Sequence, residues 1–329
     1  AGQPLDLHAH TLVYDRIIPD SERHFSQLAA DALGIPIHHR AADDYLLYAG
    51  HDAHARRFAE PSHEPEGAAT CDLLHDQAAH ARVALMGWDG DTLLNESPKP
   101  YFRTLLRERQ LGRLVAGVVR YAASERRVLP RSLFAKRAHA PAQDGYPVWL
   151  NPDLERSLGL RDRWRAVQDE PEDPHPLRPY AHRVFGWIDR WSNFFDRFDP
   201  GVSRLALEVR HPFLDLRLVD FCLSLPPLPW CVRKEILRAS LAGVVPEAVR
   251  RRPKTPLGNP GAALLGRDDA SWVDEFVATP GLERYIERER IPRAWRAANS
   301  RAAWTDLRPL TLNFWLQLQA SKHPLETHA

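Results

Sequence analysis

Lysine is scarce in this chain: Lys99, Lys136, Lys234, Lys254 and Lys322 stand against 39 arginines among 329 residues. In a chain so biased toward guanidinium, each surviving ammonium asks for an explanation. Cysteine is as thin. Cys71, Cys222 and Cys231 form no C-x-x-C pair and leave one thiol odd, which argues against a disulfide framework or a cysteine-based metal centre. Methionine occurs once, as Met86, and Ala1 stands where an initiator would, so the start reads as cut or processed from something longer. Long apolar runs are missing: nothing approaches the roughly 18 residues of a membrane helix, and the opening Ala1 to Asp6 lacks the basic and apolar segments of a secretory signal. A cytoplasmic protein is the expectation. Charge of one sign is missing as well. With 44 basic and 43 acidic residues the net charge is +1, no field to gather nucleic acid or an anionic membrane, and neither partner is expected.

What is present falls into two halves. The first ninety-odd residues alternate strand and helix signals, the pattern of a parallel sheet with crossover helices. Leu7 to Tyr14 reads as a strand. Pro19-Asp20-Ser21 then opens a helix with Phe25, Leu28, Ala29, Ala32 and Leu33 on one face and Gly34 as its C′ stop. Ile35-Pro36-Ile37 reads as a short strand, and His38-His39 as loop or surface. A His/Pro-rich loop covers about 51 to 66, a helix about 68 to 80, and Arg82 to Met86 a compact buried strand. Beyond residue 95 the reading is helical: about 101 to 122, 180 to 197, 214 to 225, 233 to 243, and amphipathic stretches up to 320. Gln168 to Pro179, with four prolines among acidic residues, reads as an exposed connection. The division expected is an α/β lobe over 1–95 and a mainly helical lobe over 96–329.

Three segments carry chemistry. Gly87-Trp88-Asp89-Gly90-Asp91 follows the last clear strand of the α/β half, where open parallel sheets bind ligands; glycines there admit a phosphate and Asp91 is a candidate Mg²⁺ ligand. An ordinary Asp/Gly turn has the same spelling. Glu208-Val209-Arg210-His211-Pro212-Phe213-Leu214-Asp215 places a carboxylate and a guanidinium two apart at a corner entering a helix, either as ligands or as an ion pair that positions the corner. Arg250-Arg251-Arg252-Pro253-Lys254 holds four cations in five positions, a solvated basic loop or an attractor of polyphosphate, in which the compact ammonium of Lys254 suits a phosphoryl group.

In this order the segments resemble the asparagine synthetase family. Its synthetase domain has a G-x-G-G-D-E-like turn, an E-x-R-x-P-F-L-D segment, and a K-x-x-L-R helix leading to a P-x-x-[IV]-x-x-R-x-K loop. Here these read as Gly87 to Asp91, Glu208 to Asp215, Lys234-Glu235-Ile236-Leu237-Arg238, then Pro246 to Val249 and Arg252-Pro253-Lys254. Thr11 to Asp15 and a helix containing Glu22 are similar to the family's second strand and helix, so the resemblance covers about residues 5 to 258. It implies an N-terminally truncated, adenine-nucleotide-hydrolase-like α/β lobe and a two-step reaction: ATP adenylates a carboxylate, pyrophosphate leaves with Mg²⁺, and an amine or ammonia displaces AMP. By the same resemblance Asp91 holds Mg²⁺, Lys254 stabilises the departing pyrophosphate, and Leu12, Met86, Gly87 and Gly90 line the nucleotide site; Glu208 and Arg210 stand with Lys254 as the candidate catalytic residues. Trp88 contacts substrate.

The departures are specific. The family's S-G-G-x-D-S pyrophosphate loop does not occur between Ala1 and Ala329; it would lie just upstream. The glutaminase domain with its amino-terminal Cys is absent too, and an upstream domain or a partner protein is expected to provide it. Met86 stands for a usual Ser, Asp89 for a usual Gly and Thr92 for a usual Glu. The substrate is either aspartate or a peptide carboxylate; Pro229-Trp230-Cys231-Val232-Arg233-Lys234, Lys254-Thr255-Pro256-Leu257 and Trp88 are similar to the lasso-peptide macrolactam cyclases of the superfamily. A reading of another class is a non-catalytic remnant or scaffold that keeps the fold.

Overall fold

The structure, a computed structural model, describes residues 6–51, 58–125, 145–169, 175–253, 258–297 and 300–322. Its first part alternates β1 (Ala9–Val13), α1 (Glu22–Leu33), β2 (Ile37–Ala41), α2 (Gly67–His80) and β3 (Val83–Leu85), followed by α3 (Gly90–Leu94). Helices then dominate: α4 (Lys99–Arg107), α5 (Leu111–Glu125), α6 (Pro152–Leu158), α7 (Leu160–Gln168), α8 (Pro179–Gly186), α9 (Ile188–Asp196) and α10 (Pro200–Ser203). The short strand β4 (Glu208–Arg210) is followed by α11 (Leu216–Ser224), α12 (Glu235–Ser240), α13 (Glu247–Arg250), α14 (Pro260–Leu265), α15 (Ser300–Asp306) and α16 (Arg308–Lys322). This is a mixed α/β chain with small parallel strand pairs.

The strands form two separate parallel pairs. β1 and β2 run in register from Ala9↔Ile37 to Val13↔Ala41, and β3 pairs with β4 from Val83↔Glu208 to Leu85↔Arg210. The second pairing joins strands more than a hundred residues apart, and apolar cores are shared in the same way. Leu74 and Ala84 pack with Phe194, Phe198 and Leu207, and Leu47 and Tyr48 with Leu264, Leu307 and Leu310.

Helix α1 ends as its sequence predicts, Gly34 taking φ 66° and donating to the Ala30 and Asp31 carbonyls. Its start is held by Asp20, whose carboxylate accepts from the Glu22 and Tyr14 amides at 2.8 and 3.0 Å.

Several expectations need correction. His38 and His39 are not in a loop: β2 begins at Ile37 and carries both, because its hydrogen-bonding partner β1, not its own polar spelling, decides that it is a strand. The helix expected over 101–122 is broken after Arg107, where Arg109 turns to φ 57°, and the one over 180–197 is broken at Trp187. The end of the proline-rich connection is not exposed either. Arg178 is fully buried, its guanidinium donating to the Leu93 carbonyl at 2.5 Å, the Cys222 carbonyl at 2.9 Å and the Cys231 sulfur at 2.9 Å. Glu96, also buried, lies 3.5 Å away as its counter-ion, so one side chain ties α3, α8 and α11 together. All three cysteines are buried.

Candidate functional site

The turn at 87–91 emerges directly from β3, and β4 fixes its exit: the Met86 amide donates to the Arg210 carbonyl at 2.9 Å. On β4, alternation turns Val209 toward the apolar cluster around Phe194 and leaves Glu208 and Arg210 together on the other face. Their side chains bond each other at 2.8 Å in the open, which lowers the Glu208 carboxyl below its ordinary range and raises Arg210. Five residues after Arg210, Asp215 caps α11 and is pushed down to about 2, first by its bond to the Arg217 side chain and then by the Arg217 amide.

The corner between β4 and α11 meets the turn through Phe213. A Cβ on Gly90 would lie 3.1 Å from two atoms of that ring, and one on Gly87 3.9 Å from it. The neighbour that approaches these glycines is therefore an aromatic side chain. Asp89, where the family has glycine, adopts the left-handed conformation at φ 58°, which short polar side chains tolerate, and accepts from the Thr92 hydroxyl at 2.9 Å. Trp88 is 44% exposed and stands edge-on to Phe194. His211 is enclosed by Phe194, Phe195 and Phe198, and burial lowers its pKa against the opposing charge of Asp89.

Asp91 opens α3, and its carboxylate faces the Lys234 ammonium at 3.0 Å. Lys234 in turn stands at the start of α12. From that helix Arg238 donates to the Arg250 and Arg252 carbonyls, the latter at 2.8 Å, and so holds the basic loop. Arg252 continues the connection: it pairs with Glu22 at 2.9 Å, donates to the Ser21 hydroxyl at 2.9 Å and lies over the Phe25 ring. On the far side of the loop, the α-carbon of Gly258 packs against Ile18. Lys254 itself lies outside the described residues, but its chain flanks are both seated on the segment that follows β1. Leu12 sits on β1 opposite Arg40, in the other strand pair.

Sequence comparison identifies the family. Residues 2–317 match the asparagine synthase family. The chain belongs to that family. Asparagine synthetase (glutamine-hydrolyzing) 1 of Bacillus subtilis (strain 168) is 22% identical over 275 residues, 76% of this chain and 43% of the relative. Asparagine synthetase (glutamine-hydrolyzing) 3 of the same organism is 30% identical over 142 residues, 36% of this chain and 22% of the relative. The chain thus spans less than half the length of the curated relatives it matches. No solved structure matches it significantly. No helix among the described residues is long and apolar enough to cross a membrane.

The asparagine synthase spelling names Lys234 and Arg238 but not their tasks, which only the fold assigns. Ser21 is legible only as part of a helix opening, not as a partner of Arg252, and Asn95, whose side-chain oxygen accepts from the Arg233 amide at 2.9 Å, has no local signal at all. Neither does Arg178, whose neighbours spell an ordinary proline-rich linker.

Proposed function

We propose that this chain carries out the synthetase chemistry of an amide-bond-forming ligase. A carboxylate oxygen attacks the α-phosphorus of ATP, pyrophosphate leaves, and an amine or ammonia then adds to the acyl carbon and expels AMP. The observation that supports this most is the unbroken run of polar contacts from Asp91 through Lys234, Arg238 and Arg252 to Glu22. It gathers the turn, the K-x-x-L-R helix, the basic loop and the segment after β1, four of the five stretches that carry the family spelling; the fifth, Glu208 to Asp215, meets the turn through Phe213.

Asp91 offers a partly exposed carboxylate just past a strand's carboxyl end, the hard oxygen donor that Mg²⁺ takes, and it would hold the ion. Mg²⁺ bound there supplies neutralisation of the polyphosphate charge. Lys254, between its two anchored flanks, would face the departing pyrophosphate. Met86, Gly87 and Gly90, with Leu12 from β1, would line the nucleotide in the 1–95 lobe, while Glu208 and Arg210 present opposite charges to the reacting groups. The acyl donor we favour is a peptide side-chain carboxylate. Trp88 in the turn and Phe195, next to the Phe194 ring that Trp88 meets, leave aromatic surface exposed, a wall suited to a peptide and oversized for free aspartate. An aspartate reading would draw ammonia from a glutaminase domain or partner.

The test is ATP-dependent pyrophosphate release by the purified chain, with and without Asp91→Ala, against candidate carboxylates and amines. Mass spectrometry would report loss of one water from a cyclised peptide, or formation of asparagine. A chain that neither binds ATP with Mg²⁺ nor releases pyrophosphate with any acceptor is a scaffold, and the ligase reading is then wrong.

A further inference from the structure

At the other end of the strands lies a cluster of imidazoles that the ligase reading does not use. His8 immediately precedes β1, His38 is the second residue of β2, and His80 is the last of α2, three residues ahead of β3. All three stand at the amino ends of the strands, whereas the Gly87–Asp91 turn follows a carboxyl end. The parallel register sets His10 directly opposite His38, so positions 8, 10 and 38 share one face of the strand pair. The rings crowd together, with centroids 4.7 Å apart for His10 and His38, 4.6 Å for His38 and His80, and 4.9 Å for His8 and His80.

Their nitrogens are oriented as well as close. His80 Nδ1 sits 2.8 Å from the Asp76 carbonyl, which only accepts, so that nitrogen carries the proton and Nε2 keeps its lone pair. His8 Nε2 faces the Asp6 carboxylate at 3.2 Å, which leaves the lone pair of its neutral ring on Nδ1, 2.9 Å from His38 Nε2. Carbonyl and carboxylate partners that hold the outer nitrogen of a histidine are the usual supports of metal-bound imidazole. One nitrogen from each of His8, His38 and His80 lies within 4.8 Å of the other two. A tetrahedral ion with bonds of about 2.1 Å sets its ligands roughly 3.4 Å apart, a value between that limit and the 2.9 Å contact already present.

We propose that His8, His38 and His80 bind a borderline transition-metal dication, Zn²⁺ as the first choice, through three imidazole nitrogens with a fourth position left to solvent. Imidazole donors suit Zn²⁺, Ni²⁺, Co²⁺ or Cu²⁺ and do not suit the Mg²⁺ expected with ATP, so this site is independent of the ligase reading. The ion would clasp the entry to β1, the entry to β2 and the end of α2. His10 stacks on His38 at the edge of the cluster, with neither ring nitrogen hydrogen-bonded among the described residues.

The experiment is equilibrium dialysis of the full, EDTA-stripped chain against Zn²⁺, with the visible spectrum of the Co²⁺ form as a second readout. His38→Ala and His80→Ala are compared with His24→Ala, an exposed control outside the cluster, and circular dichroism confirms that each variant is folded. The expected result is one tightly held equivalent in the parent chain and in H24A. Affinity should weaken by about tenfold or more in H38A and in H80A, a loss typical of removing a ligand or its support, with the Co²⁺ absorption gone from both. Zn²⁺ should raise the melting temperature of the parent but not of H80A. Equal Zn²⁺ affinity in all four proteins, or no stoichiometric binding by the parent, means an ordinary hydrogen-bonded imidazole cluster and overturns the proposal. Neither result bears on pyrophosphate release.

Discussion

The Lys234 ammonium lies 3.0 Å from the Asp91 carboxylate, and it is delivered there by two successive residues in the left-handed region, Arg233 at φ 57° and Lys234 at φ 58°. Non-glycine residues held so cost on the order of 1 kcal/mol or more each and persist where the surroundings over-determine them. The Arg233 amide is bonded to Asn95, and the Glu96 amide to the Cys231 carbonyl at 2.6 Å, so both strands of this corner are pinned.

The pair is partly exposed, so Lys234→Ala should change stability by no more than about 1 kcal/mol. Its effect should fall on Mg²⁺. Removing a cation that shares the carboxylate lowers the Mg²⁺ concentration for half-maximal pyrophosphate release, by up to about fivefold for an interaction of that size. Asp91→Asn should raise it. Titration of release against Mg²⁺ gives both signs, and a shift in the same direction for the two variants would show that Asp91 does not hold the ion.

Arg178→Met should be far more damaging. Three acceptors lose their donor in the interior and Glu96 is left as an unpaired buried acid, whose pKa burial already raises. Breaking one half of a buried pair costs roughly 3–5 kcal/mol. Glu96→Gln in the same chain should restore part of that loss, as read from urea midpoints of the single and double variants.

His63 makes stability depend on pH. Its Nδ1 lies 2.8 Å from the Thr311 hydroxyl, and burial, helped by Arg308, pushes its pKa down to about 4 from an ordinary 6.5. Between those values the unfolded chain binds the proton and the folded chain does not. Stability is therefore fully present above pH 6.5 and is lost as pH falls toward 4, by at most on the order of 3 kcal/mol. Denaturation midpoints across this range should slope upward with pH, and His63→Gln should flatten the slope.

Two glycines should respond unequally to alanine. At Gly261 an added Cβ would stand 1.9 Å from the Trp304 ring and 2.1 Å from a Glu66 oxygen, so Gly261→Ala must displace an indole packed on the Leu264 core. At Gly90 the Phe213 ring at 3.1 Å needs to yield only a few tenths of an ångström. Overpacking of the first kind costs about 1–3 kcal/mol or more. Thermal melts should place G261A well below G90A, while pyrophosphate release by G90A reports how closely the turn must meet the β4 corner.

Family membership and the order of its motifs could be read in the chain, as could α1, from its periodicity and glycine stop, and α2, from its span; the strand before the turn could be placed, but not its burial, since Val83 and Leu85 are exposed rather than buried. His38 and His39 could not be read as strand, since two imidazoles and an arginine in a row have no period; pairing to β1 settled it. Arg178 looked like linker for a related reason: a buried arginine differs from a solvated one only in the carbonyls that surround it, and those belong to residues 93 and 222.

By itself the sequence determined which residue types are available, a carboxylate at 91, ammoniums at 234 and 254, a Glu–Arg pair at 208 and 210, and the order in which they follow. It could not determine that Asp91 meets Lys234, that Arg238 and Arg252 tether the basic loop to Glu22, or that imidazoles from positions 8, 38 and 80 converge. Those are contacts between segments separated by tens to hundreds of residues. Helix periodicity and caps act over a few neighbours, whereas such long-range contacts exist only once burial of apolar faces has fixed how the elements pack.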